Sequence, residues 1–355
     1  MQKSLNFRPS RREACLGLGA ALAAGACSAP ENPPETGAGT GTGRALQGWS
    51  MGDGLPFPVQ EIYPCLHHGA IHLAGGFVAE AGRITGPTAA HLVWRPDGAG
   101  WQAATPLPAA RHHPHLMSFA GRLFVIGGFE SHSPDAVWVA QSTGWVLDEE
   151  SGVWQAAPEL PARSAEAVVL VGGTGLMHFV GGRSPAGDRN ATWNDQTDQT
   201  HHFVLDAPDG RWRDAAPCPT ARNSASGAVI DGRLHIVGGR SVAGGNTAVH
   251  EVYEPAEDRW RDAAPMPQAQ GGLAAAELGG RLYAFGGEFF HDGGGVYPEA
   301  WVYDPASDSW EAIDPMPHPR HGLGAVTLGG AIHVIGGALK VGGNETSEIV
   351  EIYRP

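Results

Sequence analysis

One line of residues in this chain has the chemistry of a binding site. Aligned on a recurring Pro-x-Pro connection, Glu61, Arg111, Arg163, Arg222, Gln270 and Arg320 follow one another at intervals near fifty residues. Mostly sixteen residues beyond each stands a Gly-Gly pair, with fourteen in the first case and eighteen in the third. The residues after those pairs form a second line: Phe77, Phe129, Arg183, Arg240, Glu288 and Ala338. Beside the first line come His112, Ser164, Asn223 and His321. Guanidinium groups hold carboxylates through paired charge-assisted hydrogen bonds. Arginines, histidines, Asn223 and two phenylalanines converging on one concave mouth therefore suit an anionic sugar or an acidic peptide loop. Glu288, His112 and His321 are the acid–base candidates there. The competing role for each arginine is to brace a neighbouring repeat.

A second candidate is the loop from Arg183 to His202, dense in Asp, Asn, Thr, Gln and His. Asp195, Asp198 and His202 are its weak metal candidates, set against a solvated polar loop. His112-His113-Pro114-His115 is a poorer metal cluster, because strand alternation splits its histidines between two faces. No resident metal or cofactor is expected.

These residues need a radial scaffold. Gly-Gly recurs at 75–76, 127–128, 181–182, 238–239, 286–287 and 336–337, each closing a short apolar run. A tryptophan follows each pair until the chain ends: Trp101, Trp154, Trp212, Trp260 and Trp310. Each stands six residues after Arg95, Asp148, Asp206, Glu254 or Asp304, which fixes the length of one turn. Self-similarity at this period predicts an all-β propeller with one four-stranded sheet per repeat. Inner strands rich in Gly, Ala and Ser suit the crowding near an axis. The last repeat stops at Pro355 without a tryptophan strand, whereas Trp49 stands alone before Pro56-Phe57-Pro58. An N-terminal strand near Trp49 is expected to complete the last of six blades, which removes the open edges.

Gly-Gly, Tyr-Asp-Pro at 303–305, a Trp six residues on and Pro-Met-Pro-x-x-Arg at 315–320 resemble the kelch repeat, from about Trp49 to Pro355. The resemblance implies six four-stranded blades and leaves the activity open, because one fold hosts many functions. Three kelch precedents bear on chemistry. Asn194, Asp198 and His202 are similar in spacing to the iron site of plant specifier kelch proteins, with Asn in place of Glu. Galactose oxidase needs a Tyr–Cys crosslink and two His ligands, and no such set aligns around Cys65 or Cys218. N-acetylneuraminate epimerase implies a sugar epimerase or mutarotase as the alternative to binding. An envelope protein-interaction platform is the third reading.

Residues 1–26 read as an export signal, with Lys3, Arg8, Arg11 and Arg12 ahead of an apolar run from Cys15 to Ala26. Ser10-Arg11-Arg12 resembles a twin-arginine signal, and Cys27 after Ala26 resembles a lipoprotein acceptor. Residues 27–47 read as a flexible linker and 48–355 as the propeller. The expected location is the periplasm or cell envelope, with membrane contact only through a lipid on Cys27. Removing residues 1–26, four Lys or Arg against one Glu, takes the formal charge from −14 to −17. So acidic a domain is not expected to bind nucleic acid. Cys65 and Cys218 fall in opposite repeats and are not expected to pair. The chain is expected to act as a monomer.

Overall fold

The computed structural model describes residues 48–355, so the signal, the linker and Cys27 lie outside the described residues. The repeats form six antiparallel four-stranded sheets. Their inner strands are Cys65–His67, His115–Phe119, Val168–Val171, Ser226–Ile230, Ala274–Leu278 and Gly324–Leu328, which number blades 1 to 6. Each inner strand packs against the next, and the last against the first, so the ring closes. Blade 6 takes its outer strand from the N-terminus, with Gly48–Met51 paired antiparallel to Val350–Arg354 and Trp49 opposite Tyr353. The expected strand near Trp49 is therefore present.

The tryptophans tie blades together. The indole N–H of Trp154 donates to Thr105 O at 3.0 Å, Trp212 to Pro158 O at 3.0 Å, Trp260 to Ala216 O at 2.8 Å and Trp310 to Ala264 O at 2.8 Å. Trp49 and Trp101 do the same to Asp314 O and Asp53 O. A large apolar ring thus fills the wedge between blades while its one polar atom finds a fixed carbonyl.

The Gly-Gly pairs occupy left-handed backbone, as at Gly286 (φ 67°) and Gly287 (φ 107°). A Cβ on Gly286 would stand 2.2 Å from Arg320 O of the next blade. The following N–H, that of Gly287, donates to the same carbonyl at 2.9 Å. Side chains are excluded because backbone meets backbone there.

Blades 1, 3 and 4 also carry a buried histidine dyad between their second and third strands. His72 Nδ1 lies 3.0 Å from His91 Nε2, His178 Nδ1 2.9 Å from His202 Nε2, and His235 Nδ1 3.0 Å from His250 Nε2. The outer imidazoles donate from Nδ1 to Thr105 O, Ala216 O and Ala264 O.

Candidate functional site

The inter-blade hydrogen bonds set the true register of the first line of residues. The second glycines donate to Val59 O, Arg111 O, Ser164 O, Arg222 O, Gln270 O and Arg320 O. Val59 and Ser164 therefore occupy the places that sequence spacing gives to Glu61 and Arg163. Arg163 is exposed and makes no ion pair among the described residues.

Nor do the other three arginines converge on a mouth, which corrects the ligand-binding reading of Arg111, Arg222 and Arg320. Arg111 is 1% exposed; it pairs with Glu130 at 3.0 Å and donates to Gly127 O at 3.0 Å and Thr143 O at 2.7 Å. Arg222 pairs with Glu251, and Arg320 pairs with Glu351 at 2.8 Å and donates to Gly336 O at 2.7 Å. Gln270 Nε2 likewise donates to Gly286 O at 3.0 Å. In three of the four repeats with an interval of sixteen residues that interval is this hydrogen bond, whereas Arg222 donates to Ile236 O at 3.2 Å instead. Twisting at Gly-Gly takes the first glycine's carbonyl out of the strand ladder, and a long donor from the same blade satisfies it. These arginines brace their own blades, not neighbouring ones.

The channel end is built by different residues. Six positions adopt left-handed backbone at one level: Glu61 (φ 58°), His113 (φ 55°), Glu166 (φ 54°), Ser224 (φ 48°), Gly272 (φ 72°) and Gly322 (φ 60°). Five of the six amides, all but that of Glu166, link head to tail. Glu61 N donates to Gly322 O at 2.7 Å, Gly322 to Gly272 at 2.9 Å, Gly272 to Ser224 at 2.9 Å, Ser224 to Glu166 at 3.1 Å and His113 to Glu61 at 3.0 Å. The result is a backbone collar about the axis.

Side chains then close the collar. His113 Nε2 meets Glu61 Oε2 at 2.9 Å, Arg183 Nη1 meets Glu166 Oε1 at 3.1 Å, and Arg240 Nη1 meets Glu288 Oε1 at 2.5 Å. Ser224 Oγ donates to Glu166 Oε2 at 2.6 Å and receives Arg240 Nη2 at 3.2 Å. Burial raises the Glu61 carboxyl pKa, but His113, His321 and Arg240 outweigh it and hold the group well below the usual range. Burial is likewise overcome at Glu166, chiefly by Arg183, and at Arg240 by Glu288, Glu166 and Glu61, which raise the guanidinium. Tyr63, beside the collar, is pushed well up by burial and by Glu166 and Glu61. The cavity at the collar, lined by Glu61, Tyr63, Ser224 and Gly322, measures about 10 Å³. That is room for about one water.

The acid–base candidates are enclosed as well: Glu288 is 2% exposed, His112 0% and His321 1%. His112 lies between Phe77 and Phe129, with ring centroids at 3.9 and 5.1 Å, and is held neutral by burial. Asn223 is spent on Asp198 at 2.5 Å. Phe77, Phe129 and Ala338 are buried under this end.

The metal candidates of the 183–202 loop do not meet. Asp195 caps the turn at Thr192 N, 2.8 Å away, Asp198 accepts from Asn223 and from Val242 N at 2.7 Å, and His202 belongs to its dyad.

Above the collar, the second-to-third-strand connections form a crown of hairpins, such as Glu288–Phe289 with Gly295–Val296 and Arg240–Ser241 with Gly245–Asn246. The crown exposes Phe290 (63%), which covers Arg240 at 5.6 Å. Trp193 lies over Arg183 at 4.1 Å on the long hairpin of blade 3. Sequence spacing alone did not single out Tyr63, Glu166, Ser224 or Phe290. Gly272 and Gly322, glycines at one repeat position, were the available sign of the left-handed collar.

Comparison with known proteins places the architecture. The sequence model of the KLHDC2/KLHL20/DRC7 Kelch-repeats domain matches residues 115–337. Kelch-like protein terF of Aspergillus terreus is 27% identical over 197 residues, 55% of this chain and 42% of terF. Kelch-like protein 35 of Mus musculus is 32% identical over 157 residues, 44% of this chain and 23% of that protein. The chain thus spans less than half the length of these relatives. The solved structure of YjhT superposes with a TM-score of 0.70 at 16% identity, covering 84% of this chain and 96% of YjhT.

Proposed function

The chain belongs to the kelch-repeat family, and on that premise we propose that this propeller is a binding module that takes a loop of a partner protein on its hairpin crown. The observation that carries this reading is the contrast between the two levels of the site. The collar's own ion pairs fill it and leave a cavity of about 10 Å³, whereas the crown above it presents Phe290 at 63% exposure beside Arg240. Aromatic residues and arginines over a rigid base are the side chains that dominate protein interfaces. The enclosure of Glu288, His112 and His321 supports binding over turnover of a sugar.

The anionic-ligand reading is narrowed by the same geometry. Arg183 and Arg240 are each matched to a built-in carboxylate, so an acidic ligand would compete with Glu166 and Glu288. Contacts of shape, amide hydrogen bonding and aromatic stacking fit the crown better than capture of a carboxylate.

The test is affinity capture from extracts of the native host, with wild-type and Phe290→Ala chains in parallel. A partner retained by the wild type and lost by the variant supports the crown. Exchange spectroscopy of sialic and uronic acids supplies the other arm: anomer exchange far above the buffer rate would replace binding with mutarotation. We propose further, from Arg11, Arg12 and Cys27, that the chain acts outside the cytoplasm.

A further inference from the structure

Antiparallel topology sends the first-to-second-strand and third-to-fourth-strand turns to the end of the propeller opposite the crown. Two of these turns bring His67, His68 and Glu149 together. His67 ends the inner strand of blade 1, and His68 follows it in left-handed backbone (φ 47°). Glu149 stands on the turn after the third strand of blade 2, Gly144–Asp148. His67 Nε2 lies 2.5 Å from Glu149 Oε1, and His68 Nδ1 lies 3.4 Å from Glu149 Oε2. One ligating atom from each residue falls within 4.8 Å of the other two. The two imidazoles stack with centroids 4.0 Å apart.

We propose that His67, His68 and Glu149 bind one divalent transition-metal ion of the zinc type. Zinc bonds of about 2.0–2.2 Å to nitrogen and oxygen, in tetrahedral array, separate neighbouring ligand atoms by about 3.3 Å. From contacts of 2.5 to at most 4.8 Å, the cluster needs adjustments of up to about 1.5 Å to reach that spacing. His67 is also oriented as a ligand is. Its Nδ1 lies 2.8 Å from Ser118 Oγ on the inner strand of blade 2. Without metal, Nε2–H donates to Glu149 Oε1 while Nδ1 accepts from the Ser118 hydroxyl; the hydroxyl can turn to accept from Nδ1–H instead, which frees the Nε2 lone pair to ligate an ion. An outer partner fixing the far ring nitrogen is the usual companion of a metal-bound histidine. The His67 side chain is 1% exposed, while those of His68 and Glu149 are 59% and 44% exposed. One rigid ligand and two at the solvent edge leave a coordination position open, the pattern of two histidines and a carboxylate seen where a metal meets water or substrate.

The experiment uses the full chain, stripped with a chelator and titrated calorimetrically with Zn²⁺, with Co²⁺ absorption as a geometric probe. The expected result is one zinc equivalent, and intense visible Co²⁺ bands of a four- or five-coordinate site. His68→Ala and Glu149→Gln should each weaken zinc binding by about tenfold or more. Both side chains are partly exposed, so these variants should keep the wild-type circular dichroism. Zinc bound equally well by wild type and the double variant, no zinc bound at all, or a Co²⁺ spectrum like that of the aqueous ion would each overturn the proposal.

Discussion

Acid should unfold this propeller through its histidine dyads. In blades 3 and 4 the outer members, His202 and His250, donate from Nδ1 to Ala216 O and Ala264 O, so Nε2 must accept from the inner partner. A proton added to Nε2 would set two N–H groups face to face at 2.9–3.0 Å. Burial adds to this, since all four rings are at most 2% exposed. Burial first, then the partner imidazole, pushes His178 and His235 down to about 3. Burial brings His202 and His250 down to about 4, against the pull of their carbonyl partners.

The sign follows from which state takes up protons. In the unfolded chain a histidine titrates near 6.5. Between about pH 6.5 and 3–4 the unfolded chain is charged and the folded one is not, so stability is full above 6.5 and falls with pH through that window. At pH 5 each histidine shifts the balance by about 2 kcal/mol, and half that value over four histidines is still about 4 kcal/mol. A domain typically has only about 5–15 kcal/mol in hand. Urea unfolding at pH 7, 6 and 5 reads the effect directly. Blade 5 supplies the control, because Tyr283 and Ala300 stand where blade 4 has His235 and His250. The double change His235→Tyr, His250→Ala should remove about half of the pH dependence contributed by these two dyads. A slope between pH 7 and 5 that the substitution leaves unchanged would refute the dyad account.

Arg320→Ala should destabilise the protein by about 3–5 kcal/mol, measured by chemical denaturation, because it strands buried Glu351; crown binding should be unaffected. Gly322→Ala places a Cβ 2.9 Å from the Glu61 carboxylate at φ 60°, so it should cost about 1–3 kcal/mol and lower Tm. Phe290→Ala, at an exposed crown position, should leave stability within about 0.5 kcal/mol while abolishing partner capture. Replacing Arg11 and Arg12 by Lys should retain the protein in the cytoplasm on fractionation, and fatty-acid labelling should disappear with Cys27→Ser.

The blade pattern was legible because its elements are local and repeat: Gly-Gly, the turn of fixed length and the tryptophan each report backbone geometry that recurs in every repeat. Closure by Trp49 followed from one unmatched tryptophan near the start and one missing tryptophan in the last repeat. The site was less legible, for a physical reason. Spacing aligns Arg163 with Arg111, but the carbonyl that receives Gly128 N belongs to Ser164. In the first repeat it belongs to Val59, two residues before Glu61. A shift of one residue in extended backbone exchanges the inward and outward faces. Arg163 therefore turns to solvent, whereas Glu61, two residues past Val59, reaches the axis because it falls at the left-handed collar position (φ 58°).

The acidic charge and the paired arginines together decide how a partner can be recognised here. Arg111, Arg183, Arg222, Arg240 and Arg320 each answer a carboxylate held by the protein itself. Such pairs are costly to break from one side, since the remaining charge is left buried. A ligand carboxylate reaching Arg240 would have to displace Glu288, which also accepts Gly342 N at 2.7 Å and anchors the hairpin of blade 6. The collar charges thus fix the positions of the hairpins and contribute little field outward. Specificity must then come from the hairpins themselves, whose lengths and tip residues differ from blade to blade over a collar that stays constant.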